Sequence, residues 1–152
     1  MMRWLPLVAL LTLSSPAVSQ GDTRFDAAGR VPKWRLTIAQ GRFELRQLGP
    51  LKTRDGGAID TVERAPGKVR INATIVYDQL VPLGGKARNG QPLMFVESQE
   101  EPLSIEVVEA PCQDDRRRTY PTQVTAKLDS GEPWQGCGDS LAVLEAGLAK
   151  TP

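Results

Sequence analysis

Cys112-Gln-Asp-Asp-Arg-Arg-Arg-Thr-Tyr-Pro121, Thr122-Gln-Val-Thr-Ala-Lys-Leu128 and Asp129-Ser-Gly-Glu-Pro-Trp-Gln-Gly-Cys137 form one continuous stretch, and it holds both cysteines of the chain. Thr122, Val124, Ala126 and Leu128 alternate with Gln123, Thr125 and Lys127, the period of a strand with one dry and one wet face. Asp129-Ser130-Gly131 then turns the chain, and the return through Trp134 brings Cys137 back beside Cys112. The expected unit is a β-hairpin clamped by a Cys112 to Cys137 disulfide.

The same alternation recurs upstream. Trp34, Leu36 and Ile38 share one face, Ala39-Gln40-Gly41 turns, and Phe43 and Leu45 continue on the return strand. Val69, Ile71, Ala73, Ile75 and Tyr77 alternate with Arg70, Asn72 and Thr74, the pattern of a central, half-buried strand. Residues 82 to 92 read as a long Gly-rich loop, residues 93 to 96 as a short apolar strand, and Leu103, Ile105 and Val107 as a further strand. Only the C-terminus has helical spacing. There Leu141, Leu144 and Leu148 follow a cap at Asp139 or Ser140, with Gly147 weakening the last turn. Short strands at this density of turns predict a mainly β fold, a small antiparallel barrel or sandwich with a short C-terminal helix and one disulfide.

Domain organisation follows from the ends. Arg3 precedes an apolar run at residues 5 to 13, and Ala17-Val18-Ser19 fits a signal-peptidase site, so residues 1 to 19 read as a signal peptide. The run is shorter than the roughly 20 residues of a membrane span. Polar, aperiodic residues 20 to 32 read as a flexible lead-in, and residues 33 to 150 as a single β-rich domain. Export to an oxidising space makes the two cysteines a structural bridge. Closing about 25 residues predicts a stabilisation of about 3.5 kcal/mol.

Pro32-x-Trp34, Cys112-x-Asp114, Tyr120-Pro121 and Gly136-Cys137 together resemble a family of uncharacterised bacterial envelope proteins, exported or lipid-anchored, with an early Glu-Pro-Phe-Trp motif and a late Cys-x-Asp, Tyr-Pro and Gly-Cys pattern. The likeness spans residues 34 to 138. Val31 and Lys33 stand where that family has Glu and Phe, and Arg116-Arg117-Arg118 replaces a small polar stretch. The resemblance implies an envelope location and a β-rich fold, and it implies no activity.

Composition narrows the function. The 19 basic residues include Arg3, so processing leaves 18 basic against 18 acidic residues, a near-neutral chain without the basic excess expected of a nucleic-acid binder. Histidine is absent, which removes the commonest general base and metal ligand. No serine lies in a Gly-x-Ser-x-Gly elbow. A carboxylate-pair hydrolase needs only two acids, and Asp55, Asp60, Glu100-Glu101 and Asp114-Asp115 are available, although each reads as a solvated acid in or beside a turn. No catalytic residue, metal ligand or cofactor is assigned.

Two basic segments are the candidate binding residues. Gly84-Gly85-Lys86-Ala87-Arg88-Asn89-Gly90 lacks the Gly-Lys-Ser/Thr ending of a phosphate loop, and reads instead as a protruding loop whose Lys86 and Arg88 can enter an acidic cleft, as loops of proteinaceous lysozyme inhibitors do. Arg116, Arg117 and Arg118 offer guanidinium forks suited to phosphate. The expected function is a secreted or periplasmic, non-enzymatic binding or envelope-maintenance module. The expected partner is an envelope protein or an anionic component of the cell envelope. Inhibition of a cell-wall hydrolase and carboxylate-dependent hydrolysis are the alternatives.

Overall fold

A computed structural model describes residues 23 to 47, 53 to 129 and 131 to 150. The signal-peptide reading of residues 1 to 19 lies outside them. Eight strands, β1 (Arg24–Arg30), β2 (Lys33–Ala39), β3 (Arg42–Gln47), β4 (Thr53–Ala65), β5 (Lys68–Lys86), β6 (Pro92–Gln113), β7 (Thr119–Leu128) and β8 (Trp134–Gly138), precede one helix, α1 (Leu141–Leu148). Each strand pairs antiparallel with the next, and β1 pairs with β8, so the sheet closes into a barrel. Closure removes the open edges that a sandwich would leave.

The alternation read from the sequence sorts inside from outside. Trp34, Leu36 and Ile38 of β2, Val69, Ile71, Ala73 and Ile75 of β5, Leu103, Ile105 and Val107 of β6, and Val124 and Ala126 of β7 are buried and form one core. Two tight turns hold adjacent strands in register. Gln40 and Gly41 both have positive φ, 54° and 68°, the two-residue hairpin turn whose twist matches its strands. Pro66-Gly67, with Gly67 at φ 68°, joins β4 to β5.

Glycines make room for the largest core side chains. A Cβ on Gly29 would lie 2.2 Å from Trp34 Nε1, and one on Gly136 would lie 2.8 Å from Trp34 Cζ2 and 2.1 Å from the Ala28 carbonyl oxygen. The indole therefore fills the space that both glycines vacate where β1 meets β8. Its Nε1–H is the one buried side-chain polar atom without a hydrogen-bond partner among the described residues.

Helix α1 closes one end of the barrel. Ser140 Oγ accepts from the Val143 N–H at 3.3 Å as N-cap, and Leu144 is fully buried. Gly147 is a contact glycine as well as a weak helix former: a Cβ there would lie 2.5 Å from the Ile38 carbonyl oxygen. Its own carbonyl accepts from the Gly41 N–H at 3.0 Å. Arg64 of β4 fixes the outer side of the helix through a two-pronged pair with Glu145, at 2.8 and 2.9 Å.

Two sequence expectations change. Within the expected lead-in, Arg24–Arg30 is β1, with Phe25 and Ala27 buried; its inward residues lack a longer period because β1 is short and its third inward position is Gly29. The expected loop at residues 82 to 92 shrinks to a tip, because β5 extends to Lys86 and β6 starts at Pro92 as a single strand running on to Gln113. Cross-strand pairing carries the ladder to Pro82 with Met94 and, after a bulge over residues 83 to 85, resumes at Lys86 with Pro92.

Candidate functional site

Asp114 builds the loop that follows β6. Its carboxylate accepts from the backbone N–H groups of Arg116 at 2.9 Å and Arg118 at 2.8 Å, and from Arg118 Nε at 2.8 Å. Burial alone would raise the Asp114 pKa, but these donors and the Arg118 charge outweigh it, and the carboxyl lies below its usual range. Arg118 is thus committed to the loop, with its guanidinium also 5.9 Å from the centre of the Tyr120 ring. Arg117 occupies the left-handed region at φ 60°.

The loop does not stand away from the barrel. The β6–β7 register shifts between Glu109 and Cys112, and Cys112 is bridged to Cys137 with Cα atoms 5.5 Å apart. Cys137 faces Gln123 in the β7–β8 ladder. Second-neighbour strands of a flat sheet lie about 10 Å apart, so the hairpin end has folded back over the outer surface of β7 and β8. Gln123 Nε2 donating to the Pro111 carbonyl at 3.3 Å, and an ion pair of Arg30 with Asp115, hold it there.

A cleft of about 900 Å³ remains between this folded end and the outer faces of β1, β2 and β8. Lys33 and Arg35 line it from β2, and Arg116 from the loop. Lys33 and Arg35 are two residues apart on the outward face of one strand, which spaces them by roughly 7 Å. These three side chains make no hydrogen bond or ion pair with the described residues, whereas every acid of the cleft is engaged. Asp114 holds the loop and Asp115 pairs with Arg30. Asp26 accepts from Arg24 at 3.0 Å and Thr37 at 3.0 Å, and Asp139 accepts from the Asp26 N–H at 2.9 Å. Five cations and four acids line the cleft, which leaves it a small excess of positive charge carried by Lys33, Arg35 and Arg116.

The sequence-predicted binding residues divide between two places. Arg116 and Arg118 line the cleft and Arg117 does not. Lys86 and Arg88 lie at the other end of β6, at the exposed tip of the β5–β6 hairpin. That tip is a closed turn, with the Ala87 N–H donating to the Gln91 carbonyl at 2.8 Å and Gly90 N–H to the Ala87 carbonyl at 2.9 Å. Sequence reasoning missed Lys33 and Arg35; their outward position opposite Trp34 in an alternating strand was the available signal.

The acids weighed for catalysis are also relocated. Asp60 lies in β4, where it accepts from Thr74 at 3.1 Å, and Glu100 and Glu101 lie within β6, with Glu101 buried and accepting from the Tyr77 hydroxyl at 3.3 Å. They are strand residues, because the paired β5 ladder carries β6 through this region. Among the described residues, no cluster of three or more His, Cys, Asp or Glu side chains could hold a metal ion, and no helix is long and apolar enough to cross a membrane. No family model, curated protein or solved structure matches the chain.

Proposed function

We propose that this protein is an exported, non-enzymatic binding module that holds an anionic component of the cell envelope in the cleft between the folded β6–β7 end and β2. The observation that carries this reading is the meeting of Lys33, Arg35 and Arg116 without internal partners in a cleft whose acids are all occupied. Two cations on one strand and a third on the facing wall suit a ligand with separated phosphate or carboxylate groups. The disulfide supports an oxidising compartment, as do the signal-peptide features of residues 1 to 19 and the resemblance to envelope proteins.

Calorimetric titration with inorganic pyrophosphate and with a bis-phosphorylated glucosamine disaccharide tests this. Binding to both should weaken at least tenfold in a Lys33→Ser, Arg35→Ser, Arg116→Ser variant and fall as salt is raised. Absence of binding to the unaltered protein, or equal binding by the variant, would overturn it.

Inhibition of a cell-wall hydrolase is the second reading, favoured by the projection of Lys86 and Arg88 at the end of a long hairpin. A lysozyme turnover assay with and without the protein, repeated with Lys86→Ser and Arg88→Ser, decides it.

A further inference from the structure

β5 and β6 leave the barrel as a two-stranded arm. The last β4 pairing to β5 is Gly56 with Val76, and the first β7 pairing to β6 is Leu103 with Leu128, while β5 and β6 continue to pair with one another out to Lys86 and Pro92. β5 bulges between Pro82 and Lys86, so the length of the arm is that of β6 from Pro92 to Gln99, about 23 Å. Among the described residues no other strand pairs with this length. A two-stranded ribbon is marginal in water by itself.

The arm is also apolar where it is least covered. Leu80 is 63% exposed, Val96 62% and Met94 44%. The register sets Leu80 opposite Val96 and Pro82 opposite Met94, so these four side chains share one face. Charge is sorted along the arm: Asp78, Glu97 and Glu100 lie at the stem, the apolar face in the middle, and Lys86 and Arg88 at the tip.

We infer that the arm is the interface with a second copy of this chain. A two-fold axis through the Val81–Phe95 pair would run the two arms antiparallel, with the Leu80, Pro82, Met94 and Val96 faces in contact. The register sets Asp78 opposite Ser98 and Lys86 opposite Pro92, each three ladder steps from Phe95 and on opposite sides of it, so the axis sets Lys86 of each arm against Asp78 of the other. Self-complementarity of this kind is what an isologous interface requires. A lipid surface fits less well, because burying the tip would bring the acidic stem to anionic headgroups and leave unpaired strand edges in hydrocarbon. The cleft lies at the opposite end of β6 and stays open in the dimer.

Sedimentation equilibrium of the processed protein from about 1 to 100 μM tests the dimer, with circular dichroism confirming that each variant keeps its barrel. The expected result is a monomer–dimer equilibrium that Leu80→Lys with Val96→Lys shifts to monomer. Lys86→Asp should weaken association about tenfold, and adding Asp78→Lys in the same chain should restore it. Restoration by the swap is specific to self-association, since a different partner would lose both charges. A monomer at all concentrations, failure of the swap to restore association, or co-sedimentation of a monomer with phosphatidylglycerol vesicles would each overturn the inference.

Discussion

Cys112 and Cys137 join the end of β6 to β8 over the outer surface of β7, with Cα atoms 5.5 Å apart. The bridge thereby has two consequences, because the residues it pins down carry Arg116 over the cleft.

Replacing both cysteines by Ala is expected to lower unfolding stability by about 2 to 5 kcal/mol, the usual loss for a small secreted domain. It is also expected to reduce pyrophosphate binding under conditions where the variant remains folded, since the cleft loses its outer wall. Urea unfolding and calorimetry on the same preparations check both effects. A stability loss with unchanged binding would show that the cleft does not depend on the bridge.

Gly136→Ala is expected to destabilise the barrel by about 1 to 3 kcal/mol, the range for forcing a methyl group into a packed core. The obstacle is the Ala28 carbonyl oxygen at 2.1 Å, backbone that has no alternative rotamer. Gly131→Ala serves as the control, because nothing lies within 4 Å of its added Cβ, and should change stability by no more than about 0.5 kcal/mol. Trp fluorescence during urea unfolding follows both variants.

Acid should weaken the fold through two ion-paired glutamates. Hydrogen bonding to Arg64 holds the Glu145 carboxyl below its usual range, and hydrogen bonds to Lys68 and then Arg70 do the same for Glu106. A lowered folded-state pKa means that the unfolded chain takes up the proton first. The contribution is fully present above the unfolded value of about 4.3 and is lost as pH falls through the lower folded-state value. The urea midpoint should therefore drop with pH in that window, and less steeply in Glu145→Gln. An equal slope in the variant would remove the Arg64–Glu145 pair from the account.

Export predicts a processed N-terminus. Terminal sequencing of protein taken from the envelope should begin at Gln20 or within a residue or two of it, with no free thiol after non-reducing alkylation. Recovery of Met1, or of two alkylated cysteines, would contradict the export reading.

Strand faces were legible along the chain because inward and outward positions alternate every residue, a purely local relation. Val69, Ile71, Ala73 and Ile75 on one side of β5, or Val124 and Ala126 in β7, need no distant partner to be recognised. The Gln40-Gly41 turn was legible for the same reason, and so were the helix cap and the pairing of the only two cysteines. Closure was not, because the join rests on Ala27 with Gly138 and Ala28 with Cys137, residues from opposite ends of the chain with no local signature of pairing. Residues 82 to 92 looked like a loop because Gly and Pro disfavour strands locally, and only the cross-strand pairs Pro82 with Met94 and Lys86 with Pro92 extend the strands to either side of a bulge at residues 83 to 85. Arg116 could be singled out as charge, but its meeting with Lys33 and Arg35 required the barrel to close and the β6–β7 end to fold back over it. Period and composition are properties of neighbouring residues, whereas a cleft is made by side chains that the chain brings together only after its ends have met.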